Sequence, residues 1–488
     1  MNSTGNPYLD LPLGGTRLIE ASAGTGKTFT LATLFTRLVV EQGLRIGQVL
    51  AVTFTDAATQ ELRKRIRERL ALAARLLDPT AAEDEGADAQ LTRQILQRHL
   101  QAGSESSAAL QRRLQVAADE IDLASIFTIH GFCTRVLREH ALESGHTFDP
   151  PELLASHREL LEELAADLWR VHANDPATLE PLTWLWKAPA ALAGDLRALL
   201  KPLPLLPPLP ATAPEDPRPA LRQAATALAQ AIRRDGEAFF GALCEAVEQR
   251  WLNGVSYKLG WVQPLCQQLQ DWARRDEADV LLQSAYLPAL LPDALAARTN
   301  RKFVERTPSS PLQAPLHDYL QRLEQHAAWL RGSALAFLHA LRGQALQRLQ
   351  QLKRVRRVQT YDDLIDGVAQ ALEGEHRQTL VKQLRAQYRI ALVDEFQDTD
   401  DRQWGIFQTV FGDSDDVRAL GLEPALFLIG DPKQAIYGFR GGDIHTYLNA
   451  KQQADKAPML GANFRSRPAV LRAVEALYAN AGDAAFLE

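Results

Sequence analysis

Five short apolar runs rich in Val, Ile and Leu punctuate the chain: "RLIEA", "VLAVTF", "ASIFTI", "RIALV" and "LFLIG". Each is bounded by polar or turn residues, and most lead into a helical pattern. A parallel strand covered on both faces has no polar side to show, so it reads as a continuous apolar run. Three of the runs lie before residue 130 and two after residue 389, which predicts an α/β fold with a parallel sheet built in two portions. Between them, residues 151 to 345 are rich in Ala, Leu, Gln and Arg at helical spacing, as in "PELLASHRELLEELAADLW", and predict helices without a strand. A mainly helical insertion therefore interrupts one α/β domain.

Within the insertion, "KPLPLLPPLPATAPEDPRP" (201–219) cannot be helix or central strand, because proline lacks the N–H and fixes φ. It predicts an extended linker or a surface wrap. Seven of the eight tryptophans fall between Trp169 and Trp329. Helix-spaced aromatics read first as core and only second as stacking platforms for bases.

A length of 488 residues predicts several domains. The net charge of −6 argues against a nucleic-acid coat protein, but not against a motor that grips a few phosphates in a local groove. Cys133, Cys244 and Cys266 are scattered, fitting neither a disulfide framework nor a metal site, and point to a reducing compartment. The N-terminus has no signal-peptide pattern, and no apolar run is long enough to cross a bilayer. The expected location is cytoplasmic.

The chemistry begins at "EASAGTGKT". An apolar run ends in Ala21, Ser22, Ala23, Gly24, Thr25 and Gly26, then Lys27 and Thr28 open a helical pattern. Small residues let backbone N–H groups approach phosphate oxygens, and the helix turns its positive end toward the same charge. Lys27 would reach the β- and γ-phosphates, and the Thr28 hydroxyl would hold a magnesium ion. After "RIALV" comes "DEFQDTD", with Asp394 placed to hold the metal and Glu395 to take a proton from attacking water. Adjacent carboxylates at the carboxyl end of a parallel strand lie where such sheets bind ligands.

A third block, "GDPKQAIYGFRGGDIHTYL", follows the last run. Gln434 is placed to touch the γ-phosphate or its water. Tyr437, Phe439 and Arg440 put two aromatics and a cation in one glycine-rich stretch, which suits stacking on bases beside a phosphate contact. Upstream, Phe54 and Thr55, both candidate DNA contacts, leave a strand end before a helix with Leu62, Ile66 and Leu70 on one face. His130 in "TIHGFC" leaves another. For His130 two readings stand level, a DNA contact and a structural histidine.

The blocks "EASAGTGKT", "VTFTDAAT", "TIHGFC", "VDEFQDT", "IGDPKQAIYGFRGGDI" and "NFRS" resemble the UvrD-like helicases of superfamily 1, and among them the RecB type from exodeoxyribonuclease V. The third block of UvrD and Rep proteins tends to read "GDDDQSIYGWRG". AddA proteins carry "SASAGSGKT" and "DVKQSIY", which are less similar. The resemblance implies a RecA-like P-loop NTPase motor using ATP and Mg2+. It implies movement 3′ to 5′ on DNA in double-strand-break resection, and RecC-like and RecD-like subunits as partners alongside single-stranded and duplex DNA. By the same resemblance Arg465 would stabilise the transferring phosphoryl group and Phe464 would stack on adenine. Phe54 and Phe439 would intercalate between bases. The implied organisation is motor domain 1A over 1–140 and 351–450, the helical insertion 1B over 141–350, and the start of a second motor domain, 2A, over 451–488.

Three departures bear on this. Family members often carry an adenine-reading glutamine shortly before the phosphate loop, whereas here no glutamine precedes Gln42. Asp56 stands where many relatives carry Asn, although RecB proteins are similarly acidic there. The chain stops at Glu488, soon after the fourth motif. Against the family pattern this implies an N-terminal portion without most of the second motor domain or the nuclease domain, expected to be inactive as a motor alone. A stand-alone UvrD- or AddA-type helicase and a non-hydrolysing P-loop binding module stay open as alternatives.

Overall fold

Each apolar run becomes a strand of one parallel sheet, and alternate residues of each strand feed opposite cores. In the computed structural model, β1 is Gly15–Glu20, β2 Val49–Thr53 and β3 Ile126–Thr128. Two further strands, β4 (Glu152–Leu153) and β5 (Val358–Gln359), pair with each other in a separate small sheet. Then come β6 (Ile390–Val393), β7 (Ala425–Gly430) and β8 (Asp455–Lys456). The described residues are 6–22, 24–78, 86–103, 105–145, 149–201, 203–209, 215–275, 281–436, 438, 442–456, 463 and 465–479.

The main sheet runs β3-β2-β6-β7-β1-β8, every pairing parallel. Side chains alternate across a strand. Thus Val49 and Ala51 of β2, Ile390 and Leu392 of β6, and Phe427 and Ile429 of β7 enter one core, under helices Lys27–Glu41, Asp56–Leu76, Ala87–Gln101 and Ser107–Asp119. Leu50, Val52, Ala391, Val393, Leu426 and Leu428 enter the other, under Ile129–Glu139, Tyr361–Glu373, Arg377–Gln387 and Asp401–Phe411. Burial on both faces is why these strands lack a polar alternation.

The chain divides into two units, 1–155 with 357–488, and 156–356. The second is helical, built around Arg218–Glu248, Leu259–Arg274 and the 44-residue Gln313–Arg356. Its tryptophans follow no single rule. Trp186 and Trp272 are buried, Trp184 is exposed, and the half-buried Trp329 carries the Arg218 guanidinium 4.7 Å from its ring centre. The proline-rich stretch is a surface wrap over its described part. The Arg342 guanidinium donates to the Lys201 carbonyl at 2.6 Å and His339 to that of Pro207 at 3.2 Å, leaving Leu203, Leu206 and Leu209 exposed. Cys244 and Cys266 lie on the neighbouring helices Arg218–Glu248 and Leu259–Arg274, and burial pushes both thiols up.

The sequence pattern misses β4, β5 and β8. Two residues are too few to show a period of two, and "PELLASHR" scans as helix although the helix starts only at Arg158. Among the described residues no helix is long and apolar enough to cross a membrane.

Candidate nucleotide site

Every strand of a parallel sheet ends at the same edge, so residues hundreds of positions apart meet there. β1 runs into the small-residue loop, where Gly24 and Gly26 take φ of +79° and +90°. A side chain is disfavoured at both. Thr25 closes the turn by donating from Oγ1 to the Ser22 carbonyl at 2.7 Å. The helix beginning at Lys27 presents the loop with N–H groups that have no intrahelical partner.

β6 delivers Asp394 and Glu395 at the same edge. Lys27 Nζ meets Glu395 Oε2 at 2.5 Å, joining loop and carboxylate across 368 positions. Glu395 itself sits in the left-handed region, φ +50° and ψ 43°, a conformation uncommon outside glycine. Burial, then the neighbouring Glu395 charge, push the Asp394 carboxyl up to about 7, with Lys27 pulling the other way. The same two causes push Asp398 up to about 6. Crowded carboxylates of this kind are relieved by a bound cation. Among the described residues no group of three or more His, Cys, Asp or Glu is placed to hold a metal. Magnesium that keeps water and phosphate oxygens needs just one or two protein ligands, a demand that Thr28 and Asp394 could meet.

β7, between β6 and β1, leads to Gln434, whose Nε2 donates to Asp431 Oδ2 at 2.7 Å. Arg465 lies against the loop, since a Cβ added to Gly24 would come within 2.8 Å of the Arg465 Cβ. Asn463 Oδ1 fixes that approach by accepting from the backbone N–H of Arg465 at 3.0 Å and of Ser466 at 2.9 Å.

Phe54, Thr55 and His130 occupy the exits of β2 and β3, farther along the same edge. Thr55 caps the helix Asp56–Leu76, its Oγ1 accepting from Ala58 N–H at 3.1 Å. His130 is half-buried, with its ring edge-on to Tyr361 at 5.0 Å. Burial lowers its pKa, opposed by Asp362 and Asp400. Ala23, Tyr437, Phe439, Arg440 and Phe464 lie outside the described residues.

Two features escaped the sequence reading. Gln397 is buried at the centre of the site, hidden in a motif whose carboxylates draw the eye. Glu20, the last residue of β1, accepts from Lys451 Nζ at 2.6 Å and from the Tyr447 hydroxyl at 3.3 Å. That ties the helix Ile444–Gln453 to the strand feeding the phosphate loop. A lone acidic residue in an apolar run was the available signal.

The family model described as the UvrD/REP helicase N-terminal domain matches residues 6–455. The chain is similar to the RecBCD enzyme subunit RecB of Escherichia coli K12, 32% identical over 98% of this chain and 39% of that protein. It is similar also to the subunit of that name from Haemophilus influenzae, at 31% over 97% and 40%. For the Chlamydia trachomatis subunit the figures are 29%, 96% and 43%. The chain thus spans about two fifths of the length of these relatives.

Proposed function

This chain belongs to the UvrD/REP helicase family, and on that premise we propose that it carries the first RecA-like motor domain, with its helical insertion, of an ATP-dependent DNA helicase. In this reading it serves a RecB-like subunit of exodeoxyribonuclease V, moves 3′ to 5′ and works with RecC-like and RecD-like subunits at double-strand breaks. The unit 156–356 acts as domain 1B, and the second motor domain begins after residue 456 rather than at 451, because Lys451 and β8 are joined to β1 of the first domain.

The observation that carries the proposal is the contact of Lys27 with Glu395 at 2.5 Å, which brings a phosphate-loop cation to a candidate base at one sheet edge. Lys27 and the loop N–H groups would hold the ATP phosphates. Thr28 and Asp394 would hold Mg2+, which supplies charge neutralisation on the transferring phosphoryl group. Glu395 accepts the proton of the attacking water, Gln434 reports the γ-phosphate, and Arg465 approaches it from the loop side. Phe54, Thr55 and His130, one exit along, face single-stranded DNA.

The test is phosphate release by the full-length protein with and without single-stranded DNA. Wild type should be stimulated by DNA, and Lys27→Ala should be inactive. Glu395→Gln should bind nucleotide while losing ~10²–10⁴ in rate, the usual contribution of a general base. Absence of DNA stimulation in wild type rejects the helicase reading, whereas unimpaired Glu395→Gln rejects only the base. Unwinding of 3′-tailed but not 5′-tailed duplexes checks polarity.

A further inference from the structure

Gln397 is 2% exposed, and both ends of its carboxamide are engaged. The backbone N–H of Asp431 can only donate, so Oε1 faces it, at 2.9 Å. That orientation turns Nε2 toward Glu395, where it donates to Oε2 at 2.7 Å. The space was made for it. Gly430 ends β7, and a Cβ there would lie 2.7 Å from Gln397 Oε1 and 3.2 Å from the Tyr447 ring.

Glu395 Oε2 thus has two tethers, Gln397 and Lys27. They are not equivalent. In the proposed function the Lys27 ammonium is the group drawn toward the phosphate chain, and that pull competes with its present 2.5 Å contact to the carboxylate. Gln397, anchored on the main chain of the next strand exit, has no such second duty. The left-handed backbone at Glu395 offers no regular secondary structure to aim the side chain.

We infer that Gln397 is the positioning residue that holds Glu395 in its working orientation once Lys27 leaves, and that it ties the base to the strand exit bearing Gln434. This rests on the proposed role of Glu395 as base. Displacement of a reacting group by about 1 Å costs on the order of 10²-fold in rate.

The experiment compares DNA-stimulated ATP hydrolysis by the full-length wild type, Gln397→Met, Glu395→Gln and the double variant. Gln397→Met keeps volume and removes the hydrogen bonds to Asp431 and Glu395, together with the longer 3.5 Å contact of Nε2 with Asp398 Oδ2. Its kcat should fall ~10–100-fold, with KM for ATP and the affinity for a non-hydrolysable analogue within about threefold of wild type. Added to Glu395→Gln, it should cost less than about twofold more, because it acts through that residue. Gln397→Glu keeps an acceptor for the Asp431 N–H while replacing the donor that faces Glu395, so it too should lose at least about tenfold, and it decides the matter if Gln397→Met does not fold. Wild-type kcat in either folded variant overturns the inference, as does an undiminished loss in the double variant. If Glu395→Gln itself turns over normally, the base assignment falls first and is identified as the failure.

Discussion

Glu395 and Asp398 show how much one residue's environment sets its chemistry. The left-handed backbone at Glu395 costs about 1–2 kcal/mol for a residue with a Cβ, and local strain of this kind is tolerated where surrounding contacts hold it. Asp398 is 8% exposed, and its Oδ1 has no hydrogen-bond partner among the described residues. Its carboxyl is raised to about 6 from an ordinary value of 3.8. Raised means that the folded state holds the proton longer than the unfolded chain. Stability is therefore lost as pH climbs from about 4 to about 6, and the deficit persists above, amounting to roughly 3 kcal/mol at most. Asp398→Asn should raise the melting temperature at pH 7.5 without nucleotide or metal, and the gain should vanish by pH 4. A gain independent of pH would contradict the burial argument.

At the level of the element, the helix Asp56–Leu76 was legible throughout. Leu62, Ile66 and Leu70 repeat at the helical period, and all three are buried. Its start adds something the sequence left undivided. Thr55, read as a DNA contact, already spends its hydroxyl oxygen on the Ala58 N–H. Thr55→Ala should therefore destabilise the protein by about 1 kcal/mol even without DNA, while Thr55→Ser should restore it. Denaturant titration of both variants separates this cap from any loss of DNA affinity, which would have to be larger than the stability change explains. The very short strands were not legible, since pairing rather than side-chain pattern defines them.

Across the whole molecule, the order of strands carries the argument. After β1 the chain skips two places in the sheet before forming β2, and β6 and β7 later fill that gap. Only this arrangement sets the exits of β1, β7 and β6 side by side, with Lys27, Gln434 and Glu395 on them. The helical unit leaves the first unit after β4 and returns at β5, strands that pair in register from Glu152↔Val358. A flexible linker of about eight residues spans such a gap, since Gly/Ser chains reach roughly 5–6 Å × √n. Replacing 156–356 by that linker should leave a cooperatively melting α/β domain. Its affinity for fluorescent ATP should stay within about threefold of the intact chain, a margin worth less than a kcal/mol. Collapse of the melting transition would show that the first unit depends on the insertion for its core.

The five main strands, the mainly helical character of residues 151 to 345 and the glycine-rich loop before Lys27 are all readable in the sequence, with the two-residue β4 an exception that the pattern does not show. These are local: apolar runs, helical periodicity and positive-φ glycines are written within a few residues of where they act. What the tertiary structure alone decided is which ends meet. Gln397 illustrates the difference, because its role depends on Gly430 and Asp431 on another strand and on a Lys27 hundreds of residues away. Hydrogen bonds act over about 3 Å in space whatever their distance along the chain. The sheet order brings those groups within that range, and no pattern in the sequence near residue 397 records it.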